Sequence, residues 1–396
     1  MKIALFHNLP SGGAKRSLYD QIHHLDKKHT FDVYTLSTAD HEFGDIRPFV
    51  ESYTIYEFKP SRLMRSPWGR LNQVIRISNL YKLRTIMKNI AHHIDSQDYD
   101  LVFVHPCQYT NSPGLLRFLN TPSLFYCHEI LRLVYDPPIR HEIPISFRSL
   151  LDKIDPMPGI YRDLLASEDR QNLFAAGSVL VNSKYSQNRF NQIYGIQTKL
   201  CYHGVNTNLF TPLGLKRSGF VISVGALRPD KGFDFIINSL GIIPKNIRPD
   251  FLIVTNYLDN SEKAYLESLA SHKGVSLTIE HAISDRQLVQ RYNLAAITLY
   301  APISEPFGLV PIESMACGTP VIGVAEGGVL ETIVHEQTGL LLDRKPDAFA
   351  DAIIELMENV NRRNEYSAQA REYVCQNWTW DNATKKLEQY FREAVN

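Results

Sequence analysis

The sequence predicts an α/β protein of two successive parallel-sheet domains, and three observations lead to that reading. The chain has 396 residues, and at about 100–200 residues per domain that length divides into two units, each able to bury its own core. Short apolar runs alternate with longer helix-like stretches along almost the whole chain, the pattern of βα units. The alternation occurs twice, and between the halves HGVNTNLFTPLGLKRSG clusters Gly, Pro and Asn as a linker does. The expected domains are therefore 1–210 and 211–378, with the hinge near Thr211 and a terminal helix over 379–396.

The first strand is Ile3–His7, in MKIALFHN. Its apolar run is shorter than the ~7–15-residue core of a signal peptide, so a strand is expected there and not a leader. The remaining strands of the first domain are Phe31–Leu36, Thr54–Phe58, Leu101–His105, Leu124–His128 and Val179–Ser183, each a short run rich in β-branched and aromatic residues. Those of the second are Phe220–Gly225, Phe251–Thr255, Ser276–Glu280, Ile297–Ala301, Pro320–Val324 and Gly339–Asp343. In WTWDNATKKLEQYFREAVN, Trp380, Leu387, Phe391 and Val395 fall one or two turns apart and mark an amphipathic helix.

Composition excludes some function classes. The 42 basic residues balance the 42 acidic ones, so no overall field points to nucleic acid as a partner. Cys107, Cys127, Cys201, Cys317 and Cys375 lack the paired spacings of a zinc site or a redox dithiol. They read as inert thiols of a reducing cytoplasm. No apolar run reaches the ~18 residues of a spanning helix, so any membrane contact is expected to be peripheral. From Phe58 to Ile94 there are eight Lys or Arg and no Asp or Glu, interleaved with Leu63, Met64, Trp68 and Ile75. Residues 59–88 can lie on an anionic membrane or guide a charged acceptor; they can equally form a solvated helix face with its apolar side in the core.

The segment SEPFGLVPIESMACGTPVIG carries the clearest chemistry. It follows a strand, so Glu305 falls in a loop at a carboxyl end, where open α/β sheets bind ligands. Phe307 and Gly308 complete that loop. Gly308 lets a ligand approach the backbone, while the amides of Leu309 and Val310 open the next helix and form an anion site suited to a diphosphate. Glu313 falls on the second turn, where its carboxylate can accept both hydroxyls of a ribose diol, and Glu305 would reach the sugar beyond the phosphates. Lys231, in RPDKGF, follows a strand and precedes a helix, where a flexible cation meets phosphate oxygens. Ser11, Gly12 and Gly13 open the first helix, where the backbone can come close to a ligand.

On these residues the chain resembles the retaining glycosyltransferases of family 4, a glycogen-synthase-like group. Their GT-B fold sets two Rossmann-like doubly wound domains facing each other across a cleft. Their two glutamates separated by seven residues match Glu305 and Glu313, and the likeness extends to PSGGAKRSL, LFYCHE, VNSKYSQNRF, HGVNTNLF, VGALRPDKGFDFI and GGVLETIVHEQTGLLL. The resemblance implies an acceptor-binding first domain, a nucleotide-sugar-binding second domain and a terminal helix that packs back on the first. It implies catalytic roles for Glu305, Lys231 and His128, the last near the transferred sugar. Donor contacts would come from Gly13, Arg228, Lys231, Ile283, Glu305, Phe307, Gly308, Leu309 and Glu313, the base being read by backbone near Ile283. Many relatives carry an arginine where this chain has Ala226; Arg228 either supplies the missing charge or faces solvent.

The implied activity is transfer of a hexose from a nucleotide-diphosphate sugar, UDP-glucose being the commonest pairing, to a glycan or lipid-linked glycan acceptor in polysaccharide biosynthesis. No metal or other cofactor is implied. Asp98-Tyr99-Asp100 has the spacing of a metal-binding carboxylate pair but reads as the polar lead-in to a strand. His128-Glu129 lacks the second histidine of a zinc-protease helix. A nucleotide-sugar epimerase on the same architecture, or a protein that binds the donor without turnover, remain as alternatives, the last encouraged by Ala226.

Overall fold

A computed structural model describes residues 1–64, 71–137, 139 and 155–396. They form two compact units, each built on a wholly parallel sheet. The first comprises Met1–Asn182, Ser186–Cys201 and Thr384–Asn396; the second comprises Ser183–Tyr185 and Tyr202–Ala383.

In the first unit the order is β1 (Lys2–Asn8), α1 (Gly13–Leu25), β2 (Thr30–Leu36), β3 (Ser52–Tyr56), α2 (Asn72–Asp95), β4 (Leu101–Cys107), β5 (Ser123–Tyr126), α3 (Arg132–Tyr135), α4 (Met157–Phe174), β6 (Ser178–Val181), α5 (Lys184–Tyr194) and β7 (Lys199–Leu200). The strands lie in the order β3-β2-β1-β4-β5-β6-β7, all parallel. Alternation along each strand feeds two cores. Ile3 and Leu5 point to one face, with Leu18, Ile22 and Leu25 of α1. Ala4 and Phe6 point to the other, with Leu83, Met87, Ile90 and Ile94 of α2. Strands covered on both faces read as near-continuous apolar runs, which is why β1 was visible in the sequence.

The second unit continues with β8 (Val221–Val224), α6 (Phe233–Ile242), β9 (Phe251–Thr255), α7 (Asn260–Lys273), β10 (Leu277–His281), α8 (Asp285–Leu294), β11 (Ile297–Tyr300), α9 (Leu309–Ala316), β12 (Val321–Val324), α10 (Val329–Thr332), β13 (Gly339–Leu342), α11 (Pro346–Glu358), α12 (Val360–Asn377) and α13 (Trp380–Val395). Its strand order, β10-β9-β8-β11-β12-β13, repeats that of the first six strands of unit one. In both sheets the order reverses between the first and fourth strands, and such a switch point opens a crevice at the carboxyl edge. One face is covered by α6, α7 and α11 through Ile236, Leu240, Leu266, Phe349 and Ile353. The opposite face is covered by α8, α9 and α12 through Leu288, Tyr292, Ile312, Met315 and Val374.

Several expectations need correction. The third strand is Ser52–Tyr56 and not Thr54–Phe58, because Phe58 belongs to the loop beyond and is buried against α2 residues. The fifth strand ends at Tyr126, so His128 stands two residues beyond it. On α13 the buried stripe is Trp380, Leu387, Tyr390 and Phe391, whereas Val395 is 41% exposed. Leu387, Tyr390 and Phe391 pack in the core of unit one beside Ile3, Phe31 and Phe103. Cys375 is exposed while the other four cysteines are buried. Among the described residues no helix is long and apolar enough to cross a membrane.

Candidate functional site

The switch point of the second sheet lies between β8 and β11, and the loops that leave these two strands carry the chemistry. The first loop ends in a single 3-10 turn, Pro229–Lys231, closed by Gly232 in the left-handed region at φ 66. A Cβ on Gly232 would lie 2.1 Å from the carbonyl oxygen of Ala301. Glycine therefore serves both the turn and the close approach of the two loops. The result is that Lys231 Nζ sits 2.7 Å from Glu305 Oε2 and 3.8 Å from Asp230 Oδ2.

The second loop is clasped by backbone and side chain. Ile303 N–H donates to the Asp230 carbonyl and Gly328 N–H to the Glu305 carbonyl, each at 2.8 Å. Arg344 donates to the carbonyls of Ala301 and Pro302 at 2.9 and 3.0 Å while pairing with Glu326. Ser304 holds a positive φ of 53, a conformation costly for a side-chain-bearing residue and typical of sites where the surroundings enforce it. Gly308 caps α9 at φ 97 with no side-chain acceptor on the helix amides. The amides of Leu309 and Val310, ahead of Pro311 which has none, thus carry no side-chain cap and suit an anion.

Behind the loop, Phe307 is 2% exposed and packs against His203, Trp378 and Tyr202 with ring centroids 5.1, 5.4 and 6.2 Å away. Glu313 is 5% exposed and accepts a hydrogen bond from the Tyr292 hydroxyl at 3.2 Å. Burial, then the carboxylates of Glu305, Glu313 and Asp230, push the Tyr300 phenol far above its ordinary range. Three acidic groups thus gather at the end of β11. Ile283 lies in the loop after β10, beside Ala282 at a positive φ of 55, and packs on the core beneath α8. The Arg228 side chain is 54% exposed, yet its Nε is 2.8 Å from Asp230 Oδ1.

The sequence reading missed Tyr292, Asp230 and Arg344. Each reaches the site through the fold, and only a neighbour of Lys231 as close as Asp230 could have been suspected from spacing.

In the first unit, Gly13 begins α1 and is exposed, following Gly12 at φ 142. Two residues on, Lys15 is completely buried, with Nζ 3.5 Å from His7 Nε2. Burial pushes its ammonium down to about 8, against the opposing pull of Asp40 and Asp45 and with a further push from Arg47. Burial, then Lys15 and His41, hold His7 well below its usual value. His128 is also buried, which pushes it down to about 3. A neutral imidazole results, with Nε2 3.3 Å from His105 Nδ1. Asp100 Oδ2 accepts the backbone N–H of Lys2 at 2.8 Å, as the lead-in to a strand would. In the basic stretch, Lys59 pairs with Glu57 and Arg84 lies 3.8 Å from Glu168. Leu83, Met87, Ile90 and Ile94 of α2 are in the core, whereas Val74 and Tyr81 are exposed. Arg65, Trp68 and Arg70 lie outside the described residues.

Comparison with known proteins completes the picture. The family model described as Glycosyl transferases group 1 matches residues 206–373, and that described as Glycosyltransferase Family 4 matches residues 11–209. A GDP-mannose-dependent alpha-(1-6)-phosphatidylinositol monomannoside mannosyltransferase of Mycobacterium tuberculosis is 30% identical over 236 residues, 53% of this chain and 60% of that protein. A D-inositol 3-phosphate glycosyltransferase of Acidothermus cellulolyticus is 30% identical over 265 residues, 61% of this chain and 57% of that one. The chain thus spans about half to three fifths of the length of these curated relatives.

Among solved structures, sucrose-phosphate synthase from Thermosynechococcus elongatus superposes with a TM-score of 0.74 at 21% identity, covering 99% of this chain and 98% of that one. Anabaena HepE in complex with UDP-glucose gives 0.69 at 19%, covering 99% and 100%. Two doubly wound parallel sheets with these structural neighbours define the GT-B class of glycosyltransferase fold. Within that class, the family matches run through both units, and the chain belongs to glycosyltransferase family 4.

Proposed function

We propose that the protein transfers a hexose from a uridine diphosphate sugar, UDP-glucose above others, to a glycan or lipid-linked glycan acceptor in polysaccharide biosynthesis, with retention of configuration and without a metal. The observation that carries this reading is the 2.7 Å contact of Lys231 with Glu305, set across the switch point beside the uncapped start of α9. Cleaving a sugar–phosphate bond builds positive charge on the anomeric carbon and negative charge on the departing phosphate, so fixed donors must face the phosphate.

In the bound state Lys231 and the amides of Gly308 and Leu309 take the diphosphate, which releases the Glu305 carboxylate to accept hydroxyls of the sugar. Glu313, steadied by Tyr292, accepts the ribose diol. The backbone at Ile283 reads the base, and Phe307 anchors the loop on the core. Arg228 adds charge at the rim. Gly13 and the neutral His128 serve from the first domain, as the family resemblance implies. As the bond from the anomeric carbon to the phosphate oxygen breaks and the new glycosidic bond forms on the same face, the acceptor's proton passes to the departing phosphate. The basic stretch at 59–88 gives the protein a peripheral hold on an anionic membrane at its cytosolic face.

The choice of uridine and glucose draws support from the UDP-glucose bound in HepE, while the mycobacterial relative is named for GDP-mannose. Incubating the chain with labelled UDP-glucose and, separately, GDP-mannose tests the reading. Slow release of UDP that accelerates with acceptor, and persists in EDTA, is expected. An altered sugar would make the protein an epimerase, and binding without release would make it a sensor of the donor. Turnover of GDP-mannose alone would overturn the donor assignment, and activity restored only by added metal would overturn metal independence.

A further inference from the structure

Phe58, Leu63, Leu80, Leu83, Tyr109 and Tyr161 line a cavity of about 410 Å3 in the first unit, inside the ~300–1,000 Å3 range of small-ligand sites. Its walls come from the segments just beyond β3 and β4, from α2 and from α4. Part of it therefore belongs to the carboxyl edge of the sheet, the edge on which doubly wound sheets bind ligands.

Two cations stand in this apolar setting. Arg62 and Arg76 both line the cavity, and among the described residues neither pairs with a carboxylate. Arg76 lies over the Tyr161 ring, 5.7 Å from its centroid, which orients the guanidinium. Ser61 N–H donates to Asn79 Oδ1 at 3.0 Å, and Lys82 Nζ donates to Ser61 Oγ at 3.0 Å. These two bonds tie the segment carrying Arg62 to α2. The elements around the cavity also leave large apolar side chains in solvent. Val74 and Tyr81 on α2 and Ile160 on α4 are between 51% and 59% exposed. Two guanidinium groups beside an apolar void repel each other until an anion bridges them, and the void itself gains only from an apolar occupant. One ligand meets both demands when its hydrocarbon chain is joined to a phosphate.

We propose that this cavity is the seat of a lipid-linked acceptor: its hydrocarbon chain packs against Phe58, Leu80, Leu83 and Tyr109, and its phosphate bridges Arg62 and Arg76. The assignment rests on the reading that the first domain receives the acceptor, and it narrows the acceptor to a lipid phosphate.

The test is calorimetric titration of the full chain with decyl phosphate below its micelle concentration, alongside octyl phosphate, inorganic phosphate and decyl maltoside. Decyl phosphate should bind, and roughly tenfold more tightly than octyl phosphate, since two methylenes are added to a buried chain. Arg76→Gln should weaken it about tenfold or more, and Leu80→Trp, which fills the void, should abolish binding. Unchanged circular dichroism and an unchanged urea midpoint in both variants show that they fold. Equal binding of inorganic phosphate or of decyl maltoside would overturn the paired recognition of chain and anion. Absence of decyl phosphate binding, or indifference to both substitutions, would overturn the site. Sedimentation with phosphatidylglycerol vesicles in a protein that ignores decyl phosphate would place the basic residues on the membrane surface and overturn the cavity as their purpose. Because these readouts involve no sugar donor, failure here leaves the donor reading standing, and failure of UDP-glucose turnover leaves this site standing.

Discussion

Glu313 is nearly fully buried and accepts a hydrogen bond from Tyr292, so the fold fixes its carboxylate before any ligand arrives. Glu313→Ala should weaken UDP binding tenfold or more, since each hydrogen bond to a charged group contributes about 1.5–3 kcal/mol. Calorimetry with UDP reads this directly, and unchanged affinity would remove Glu313 from the ribose. Lys231→Ala should lower kcat more than it raises the donor Kd, because the charge it faces grows in the transition state. Equal losses in the two would reduce the lysine to a tether. Lys15 makes a separate prediction. Its folded-state value of about 8 lies below the ordinary 10.5, so between those values the folded chain holds fewer protons than the unfolded one. Stability contributed at this site therefore rises with pH across that window, and the burial penalty is fully present below it. Lys15→Met should remove that rise in denaturant titrations at pH 8 and pH 10. At this scale the sequence was legible where function compresses chemistry into one segment, as from Glu305 to Glu313. It was silent on Tyr292 and Arg344, because a partner supplied by another helix or strand leaves no local period to read.

The loops after β8 and β11 show what the elements add. Their contact depends on Gly232, whose positive φ and missing Cβ are both required. Gly219 also has a positive φ, 78, but nothing within 4 Å of a built Cβ. Gly219→Ala should therefore cost only the conformational penalty, about 1 kcal/mol, whereas Gly232→Ala should cost about 2 kcal/mol or more and lower donor affinity as Lys231 shifts from Glu305. Comparing urea midpoints of the two variants checks this. Equal midpoints would mean that the Ala301 loop yields freely. Strands buried on both faces, such as β1 and β9, announced themselves as apolar runs. The end of β3 did not, because Phe58 continues the apolar run into a loop and is buried by α2 without belonging to the ladder. β7, two residues long, is too short to carry any pattern.

At the scale of the whole molecule, the alternation of strands and helices made both sheets readable, since each βα unit must bury two strand faces and one helix stripe. What the alternation could not reveal is that the first unit is assembled from separated stretches, closed by residues Thr384–Asn396. Leu387 and Phe391 of α13 are at most 1% exposed within the core that holds Ile3, Leu5 and Phe103. A chain ending at Ala383 would uncover that core, at about 2–5 kcal/mol for each large side chain lost, against a typical domain stability of about 5–15 kcal/mol. Hydrogen exchange on the shortened chain should show residues 1–182 unprotected and the second sheet still protected. Protection of both would mean that α13 is dispensable. The order of synthesis gives this arrangement a further meaning. At about 5–20 residues per second, the ribosome needs roughly 10–40 s to make the 202–383 segment after the first seven strands have emerged. For that interval α1 already shields Ile3 and Leu5 while the strip of the first sheet that Leu387, Tyr390 and Phe391 later cover stays bare, so the unit begun first is completed after the second.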